Sequence, residues 1–327
     1  MPGSLTEIYA RLRDHFGQLT GPDAGRPWWP LYSDDPQFEI IVGAVLVQQT
    51  RWETVEAATL RLIAAGLLSP QALATADPAA VAALIRPAAF HSQKAPGLVA
   101  IAQHICQHYG GSAASMLARP TAALRAELLA LPRVGPETCD VVMLYGGDHP
   151  VFVVDEYTRR LLERVGVWIA KVAEAGAAKN AKAKARKAEG RGRETEARET
   201  EARESGDGAA STFWRRASYE AVRLTIEAEL LEATRTAQPS SRNPQPSTLI
   251  PHPSSLIPLT PLYADFHAQI NEVCVRYCLA RPRCDGPPAR RVYSRQEGRE
   301  NYLDRDDGCP LRPICAHYAK RKAGLAP

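Results

Sequence analysis

Hydrophobic and polar residues follow one another along most of this chain with the spacing of amphipathic helices. Leu5 to Phe16 (LTEIYARLRDHF) carries apolar side chains three and four positions apart, and Phe38 to Gln49 (FEIIVGAVLVQQ) is too long and too continuously apolar for a single strand. The second segment therefore predicts a central buried helix. No run of alternating strand residues stands out, so the pattern predicts an all-α fold. Further helices are predicted at about 53–64, 79–85, 92–109, 121–130, 137–145, 156–165, 215–234 and 263–277.

Two segments break the helical pattern and are predicted to be insertions. Residues 169–212 include RETEARETEARE, in which alanine is the only apolar residue, so a helix there has no face to bury. Residues 236–261 contain PSTLIPH and PSSLIPL, and prolines at this density block both helices and sheet ladders. We expect both insertions to be frayed or disordered.

Composition narrows the class of protein. Of the 327 residues, 45% are hydrophobic and 23% charged, which excludes a wholly disordered or fibrous chain. The longest apolar run, Ile40 to Val47, has eight residues, whereas a membrane-spanning helix needs about 20. The N-terminus has no apolar export segment. We therefore expect a soluble cytoplasmic protein without a membrane partner, whose seven cysteines are thiols or metal ligands.

The net charge of +4 is distributed unevenly. Residues 276–322 hold 12 basic and 6 acidic residues, whereas the chain outside 171–207 is close to neutral as a whole, with 30 basic and 28 acidic residues. A polyanion could dock on this basic C-terminal segment, although such a tail is more often a solubilising face.

Leu131 to Thr138 (LPRVGPET) separates two predicted helices and has the pattern of a helical hairpin. Pro136 suits the first position of a helix, and Gly135 allows a tight turn that leaves free N–H groups facing outward, where they favour anions. Taken alone, these residues fit either an ordinary hairpin or a phosphate site.

The continuation of the hairpin is more specific. From Leu131 the chain reads LPRVGPETCDVVMLYGGDHPVFVVDEYTRRLLERVG, which resembles the helix-hairpin-helix and catalytic-aspartate segment of the HhH-GPD DNA glycosylases, the endonuclease III superfamily. GPET followed by VFVVDEYTRR is similar to the 3-methyladenine, or methylpurine, glycosylase branch. With the N-terminal WWP and FEIIVGAVLVQQTRW, the resemblance covers nearly the whole chain except the two insertions.

Asp155 follows an apolar run and opens a predicted helix, so on its own it reads as a capping residue. Backbone N–H groups at such a position lower the pKa of a carboxylate and keep it ionised. The resemblance implies that Asp155 is catalytic and stabilises the cationic sugar that forms as the base departs. Glu137 stands where bifunctional members carry a lysine that forms a Schiff base, and a carboxylate cannot form an imine. We therefore predict a monofunctional enzyme with weak or absent AP lyase activity.

Base recognition is also implied by the resemblance. Gln49, at the end of the central helix, resembles the glutamine that fills the gap left by an extruded base, although a helix-end amide is an equal alternative. Trp29 and Trp52 would enclose a cationic alkylated purine, or simply pack in the core. Arg133, which stands where the hairpin often has its first glycine, either strains the turn or adds a phosphate contact. The implied DNA-binding residues are Leu131, Arg133, Val134, Gly135, Glu137 and Thr138.

Four cysteines near the C-terminus resemble the superfamily's loop for a [4Fe–4S] cluster, with a first spacing one residue shorter than usual and 24 residues in the middle gap, where two are typical. A zinc site is the main alternative, and Cys274 is a spare thiol. The implied ligands are Cys278, Cys284, Cys309 and Cys315. The residues inserted between them, Gly286 to Gly308, are predicted to form a basic flap near DNA with Arg290, Arg291, Arg295 and Arg299.

Together these expectations describe an all-α, two-domain DNA glycosylase. Residues 36–150 would form a six-helix module ending in the helix-hairpin-helix, and residues 1–35 with 151–327 a discontinuous domain that carries the cluster. The expected partner is double-stranded DNA with a damaged base, bound by a monomer associated with the nucleoid. Two alternatives stay open: a glycosylase and AP lyase for oxidised pyrimidines, and an inactive DNA-binding paralogue.

Overall fold

The structure is a computed structural model that describes residues 3–21, 24, 28–167, 214–236, 259–289 and 307–325. These residues contain thirteen α-helices and no strand, which confirms the predicted all-α class. In chain order the helices are α1 (Leu5–Phe16), α2 (Pro36–Leu46), α3 (Trp52–Ala64), α4 (Pro70–Ala74), α5 (Pro78–Leu84), α6 (His91–Tyr109), α7 (Ala113–Leu117), α8 (Thr121–Ala130), α9 (Pro136–Val141), α10 (Glu156–Val165), α11 (Tyr219–Thr236), α12 (Leu259–Arg276) and α13 (Ala316–Lys322).

Helix α2 is the centre of the first group of helices. It begins because the Asp35 side chain accepts the N–H of Phe38 and Pro36 supplies a preset φ at the first turn. All nine residues from Phe38 to Leu46 are buried, against α3, α6, α7, α9 and the π-helical turn Val142–Gly146 that follows α9. Full burial stabilises a side chain such as Phe38 by about 1.5–3 kcal/mol, so this helix is held by packing on every side.

The second group is formed by α1, α10, α11, α12 and α13. Helix α12 packs against α1 and α10, and it is buried along most of its length. Helix α10 has a Gly166 cap in the left-handed conformation, φ 78°, which any side chain would strain. The two groups meet where the π-helical turn contacts α12.

An extended segment, Val151 to Val154, leads directly into α10 and is buried although no strand pairs with it. Two of its backbone N–H groups are satisfied by side chains of α11: Phe152 donates to Glu227 at 2.8 Å, and Val154 donates to the Tyr219 hydroxyl at 3.3 Å. These two hydrogen bonds attach the segment to α11 and so fix the position at which α10 begins.

A buried ion network attaches α11 to the helices of the hairpin. Asp140 of α9 is fully buried and accepts a hydrogen bond from the Arg125 Nε of α8 at 3.0 Å. The Nε of Arg223, on α11, lies 3.7 Å from the other oxygen of Asp140, and Arg223 also donates to Glu227 at 2.8 Å. Because a buried charge without partners is costly, these contacts fix the position of α11 relative to α8 and α9.

Several predicted boundaries were wrong by a few residues. The central helix ends at Leu46 rather than Gln49, and the long helix predicted from residue 215 begins at Tyr219, after Ser218 caps it through the N–H of Ala221. Residues 259–261, predicted to belong to the second insertion, already form the first turn of α12.

The rest of both insertions, apart from Thr236 at the end of α11, and the four flap arginines lie outside the described residues. In the part of the chain that is described, no helix is long and apolar enough to cross a membrane.

Candidate active site

Asp155 is the residue that caps α10, as the sequence pattern predicted. Its Oδ1 accepts hydrogen bonds from the backbone N–H of Thr158 at 2.7 Å and from the Thr158 hydroxyl at 2.8 Å. Its Oδ2 accepts one from the Asn271 amide of α12 at 3.1 Å. The side chain retains 12% exposure.

Behind Asp155 lies a buried chain of polar groups that the sequence analysis did not find. The Nε2 of His267, on α12, is 3.5 Å from Asp155 Oδ2 and 3.1 Å from the Asn271 amide nitrogen. The Nδ1 of His267 is 2.7 Å from the hydroxyl of Tyr145, which also donates to the carbonyl of Ala264 at 3.1 Å. The site is therefore assembled from the π-helical turn, the start of α10 and the middle of α12.

These neighbours set the charge of Asp155. Burial acts to raise its pKa, but the contacts from His267 and Thr158 outweigh burial and hold the pKa of Asp155 below its usual value. Burial and the negative charges of Asp155 and Asp265 raise the pKa of Tyr145 well above normal, so its hydroxyl keeps its proton. At physiological pH the site therefore contains the carboxylate anion of Asp155 and, on the other side of His267, the neutral phenol of Tyr145.

Glu137 lies in the first turn of α9; the residue as a whole is exposed, but the surrounding protein displaces much of the water around its carboxylate. Desolvation by the surrounding protein, together with the negative charges of Asp155 and Glu156, raises the pKa of Glu137 to about 7. No amine is available from this position.

The hairpin between α8 and α9 takes its turn at Arg133, which has a left-handed backbone with φ 65°. A non-glycine residue is strained there by roughly 1–2 kcal/mol. Its side-chain stem packs on Gly97 of α6, where an added Cβ would come within 2.5 Å of the Arg133 Cγ. Gly135 has an ordinary φ of −89°, so its role is not the turn itself; no atom lies within 4 Å of its missing Cβ, which leaves the surface at this point bare.

The other hairpin residues divide into exposed and buried groups. Arg133, Gly135 and Glu137 are exposed and Leu131 is half-buried, whereas Val134 and Thr138 are buried. Gln48 donates at 2.8 Å both to the Arg133 carbonyl and to the Thr138 hydroxyl, which joins the end of α2 to the hairpin. The side chains of Val134 and Thr138 therefore hold the hairpin from inside.

Gln49 lies on an exposed turn after α2, again with a left-handed backbone, φ 53°. Beneath this turn Lys94 of α6 is fully buried, and its Nζ donates to the Leu46 carbonyl at 2.8 Å, the Gln48 carbonyl at 2.7 Å and the Thr50 hydroxyl at 3.1 Å. The first of these bonds takes the carbonyl of Leu46, the last residue of α2, and the other two hold the turn that follows the helix. Burial, and secondarily the charge of Arg133, lowers the pKa of Lys94 to about 8.

The predicted pocket tryptophans belong to one aromatic cluster. The Trp29 and Trp52 rings meet edge to face with centroids 5.4 Å apart, and Trp29 also contacts the Tyr145 ring at 5.7 Å. Trp28 lies against Tyr145 and His267 and donates its indole N–H to Glu272 at 2.8 Å. Because Trp29 and Trp52 touch, a base that enters between them has to displace one of the rings.

The four C-terminal cysteines are free thiols, and two of them, Cys278 and Cys315, contact Arg164 of α10. Arg164 donates to the Cys278 sulfur at 3.3 Å, the Cys315 thiol bonds the Arg164 carbonyl at 3.4 Å, and the Cys309 N–H donates to the Cys284 carbonyl at 2.9 Å. Among the described residues, no three Cys, His, Asp or Glu side chains are arranged to hold one metal ion. The predicted metal is therefore not confirmed, although four free thiols beside arginines fit the donor chemistry of a thiolate-bound cluster.

Phe90 is a further residue that the sequence analysis missed. It has a left-handed backbone, φ 56°, and its side chain is 49% exposed at the start of α6. The neighbouring Ala89 N–H donates to the Thr50 hydroxyl at 3.1 Å, which places this turn beside the Gln49 turn. The only local sequence signal for Phe90 was an aromatic residue just before a predicted helix.

No local sequence signal showed that His267 and Tyr145 belong to the site, because they are 122 residues apart.

Comparison with known proteins gives a consistent result. The profile of the HhH-GPD superfamily of base excision DNA repair proteins matches residues 42–187. A Methanocaldococcus jannaschii protein, named as a candidate DNA repair glycosylase, is 37% identical over 164 residues, which are 50% of this chain and 70% of the relative. Endonuclease III of Thermotoga maritima is 34% identical over 135 residues, 41% of this chain and 58% of that protein.

The fold also has a solved counterpart. The structure of a 3-methyladenine DNA glycosylase from H. pylori, bound to 1,N6-ethenoadenine, covers 83% of this chain and 96% of its own with a TM-score of 0.54. The two sequences are 21% identical, so the likeness extends to the fold alone.

Proposed function

The chain belongs to the HhH-GPD superfamily of base excision DNA repair proteins, and from this premise we propose that it is a monofunctional DNA glycosylase for alkylated purines. The observation that carries the proposal is the ionised Asp155 at the start of α10, with Oδ1 fixed by Thr158 and 12% of the side chain exposed. An anion in that position stabilises the positive charge that develops on the sugar as the bond to the base breaks.

Hydrolysis is favoured over lyase chemistry by the nearby groups. A Schiff base needs an amine with an available lone pair, and the position that would carry it is Glu137. The buried amine of the hairpin region, Lys94, has all its donors directed at Leu46, Gln48 and Thr50. Water is then the remaining nucleophile, and Asp155 is the base that accepts its proton.

Alkylated purines are proposed as substrates for two reasons. They are cationic before cleavage and leave as neutral bases, so the enzyme need not protonate them, and aromatic faces such as those of Trp29 and Trp52 attract a cation. The H. pylori glycosylase of the same fold was solved with a modified adenine. One ring of the Trp29–Trp52 pair would rotate to admit the base.

Duplex DNA would be held by the hairpin and opened by two exposed turns. The bare surface at Gly135 and the exposed Arg133 would contact phosphates, while Gln49 and Phe90 would occupy the gap left by the extruded base. Both residues have a left-handed backbone and are exposed. We propose that the protein acts as a monomer where chromosomal DNA is located, in the cytoplasm.

The two-domain arrangement and the cluster complete the proposal. Residues 36–150 would form one domain, and 1–35 with 151–327 the other, with Asp155 at their boundary. Cys278, Cys284, Cys309 and Cys315 would hold a [4Fe–4S] cluster, with zinc as the alternative. When bound, such a cluster supplies a structural crosslink for the C-terminal loop, which also carries basic residues.

The experiment is base release from a panel of duplexes that each contain one alkylated, oxidised or mismatched base. We expect the wild-type protein to release alkylated purines and to form no complex with DNA that borohydride can trap. Trapped complexes with oxidised pyrimidines would favour a bifunctional enzyme. Steeply salt-dependent DNA binding without base release from any duplex would favour a protein that only binds DNA.

A further inference from the structure

One face of α11 binds the extended segment that leads to Asp155. Glu227 accepts the N–H of Phe152 at 2.8 Å, and the Tyr219 hydroxyl accepts the N–H of Val154 at 3.3 Å. The two side chains lie on the same face of the helix because they are eight residues, or two steps of four, apart. Alternate N–H groups of an extended segment point to one side, so α11 takes the place of a neighbouring strand. The second bond is made by the residue directly before Asp155.

The same two side chains are connected to Asp140 in the second helix of the hairpin. Burial, and next the charge of Asp140, raises the pKa of Tyr219 far above normal, so the hydroxyl keeps its proton and donates it to Asp140. Glu227 is linked to Asp140 through Arg223, which donates to Glu227 at 2.8 Å and whose Nε lies 3.7 Å from Asp140 Oδ2. Fourteen residues separate Asp140 from Val154 along the chain, but the Tyr219 hydroxyl joins them in one step.

This connection bears on the distance between Asp155 and DNA. In the proposed function the duplex is held at the hairpin, by Arg133 and Gly135, whereas the reacting sugar meets Asp155 at the start of α10. Helix α10 packs on α12 and α13, which belong to the second group of helices. The side chains of α11 therefore join the helix that presents Asp155 to the helices that hold DNA. A displacement of about 1 Å can lower the rate of a positioned reaction by about 10²-fold.

On this basis, and resting on the proposed function, we propose that Tyr219 and Glu227 are positioning residues for base release. They hold the segment before Asp155 against the hairpin helix α9, so that DNA bound at the hairpin meets the carboxylate at a fixed distance. Neither side chain touches the substrate, and both act through Asp155.

The first test is base release by the full chain from the best duplex of the panel, in a single turnover at saturating protein. Tyr219→Phe removes only the hydroxyl, and we expect the rate to fall about tenfold. Glu227→Gln keeps an acceptor for the Phe152 N–H but loses the charge that holds Arg223, so its rate should fall about threefold. The Kd for a duplex with a neutral tetrahydrofuran abasic site should stay within about twofold of wild type in both variants.

Tyr109→Phe is the matched control. It also removes a hydroxyl that bonds a carboxylate, but that carboxylate is Glu127 of α8, and Tyr109 lies at the end of α6. This variant should release the base at the wild-type rate. A role in stability alone would lower the unfolding temperature of Tyr219→Phe and leave its rate, measured below that temperature, equal to that of Tyr109→Phe.

A second readout does not depend on base release. A duplex with a cationic pyrrolidine in place of the sugar imitates the charge of the transition state, and the tetrahydrofuran duplex is its neutral counterpart. The wild-type protein should bind the cationic duplex at least about 10²-fold more tightly, because the anion of Asp155 lies beside the sugar. Tyr219→Phe should lose about tenfold of this preference, since preference and rate report the same displacement.

Wild-type rate and undiminished cation preference in both Tyr219→Phe and Glu227→Gln would overturn the proposal and leave the glycosylase intact. A loss of rate that is matched by an equal loss of binding to the neutral duplex would also overturn it. If Tyr219→Phe does not fold, Glu227→Gln decides by the same criteria. If the wild type releases no base from any duplex, the proposed function fails, and the cation preference of the variants still tests the positions of these residues.

Discussion

Asp155 and Lys94 are both buried charges at helix ends, but their hydrogen bonds differ. Asp155 lies at the start of α10 and accepts hydrogen bonds from Thr158 and Asn271. A carboxylate can accept about four hydrogen bonds, so part of this capacity is unused, and 12% of the side chain is exposed. Lys94 lies under the end of α2, has no exposure and spends all three donors on protein oxygens. A charge with unused bonding capacity and access can act on a ligand, whereas a fully bonded charge holds the fold.

Asp155→Asn is expected to have the largest effect, a loss of base release without a loss of stability, and so separates these two roles. Asp155→Asn keeps an acceptor for the Thr158 N–H, so the free energy of unfolding should change by less than about 1 kcal/mol. The single-turnover rate of base release should fall about 10³-fold, equal to about 4 kcal/mol in the barrier, because the anion is lost. Urea denaturation and single-turnover kinetics measure the two quantities; a rate within tenfold of wild type would exclude Asp155 as the catalytic anion.

Lys94→Met should show the opposite pattern. It leaves the Leu46 and Gln48 carbonyls without their buried donor, so we expect the free energy of unfolding to fall by about 2–3 kcal/mol in urea denaturation. Base release at a temperature where the variant is folded should decline less than in Asp155→Asn. Lys320→Met, at an exposed position of α13, is the control and should unfold like the wild type. Equal stability of Lys94→Met and wild type would show that the carbonyls find other donors.

Lys94 should also give stability a pH dependence. Its pKa is about 8 in the fold and 10.5 in the unfolded chain, so the unfolded state binds more protons between these values. The free energy of unfolding should therefore gain on the order of 2 kcal/mol from this residue as the pH rises from 8 to 10.5. Urea denaturation across this range measures it, and the difference between wild type and Lys94→Met isolates Lys94 from other titrating groups.

Glu137→Lys places an amine at an exposed position of the first turn of α9, unlike Lys94, whose three donors are all bonded. The carboxylate of Asp155 acts on this position, so the new amine should reach the same sugar and form an imine with it. We expect borohydride to trap a covalent complex with an alkylated duplex, where the wild type gives none. Glu137→Gln, which has no nucleophilic amine, is the control; trapping by this variant or by the wild type would contradict the reading of Glu137.

Arg133→Gly should have the smallest effect on stability. Glycine relieves the left-handed backbone, while the packing of the side chain on Gly97 is lost, so the net gain should be at most about 1 kcal/mol. If Arg133 contacts a phosphate, the slope of log binding constant against log salt should decrease by about 1. Arg133→Lys keeps the charge and should keep the slope. An unchanged slope in Arg133→Gly would leave only a structural role.

Local sequence determined most of the helices. Helices α8 and α10 have the bounds that the pattern predicted, and Pro136 and Asp155 mark helix starts, because capping and periodicity depend on residues within one or two turns. A predicted helix boundary was wrong where a side chain distant in the sequence binds the end of the helix. The central helix ends three residues early, at Leu46, whose carbonyl is bound by Lys94, 48 residues further along the chain.

The sequence by itself determined the all-α class, the family resemblance and the aspartate that opens α10, since each is written in neighbouring residues. Only the tertiary structure decided that His267 and Tyr145 stand behind that aspartate, that Lys94 is fully bonded, and that Arg133 rather than Gly135 takes the left-handed turn. The physical reason is that hydrogen bonding and burial depend on contacts between segments up to 122 residues apart, which no local pattern encodes.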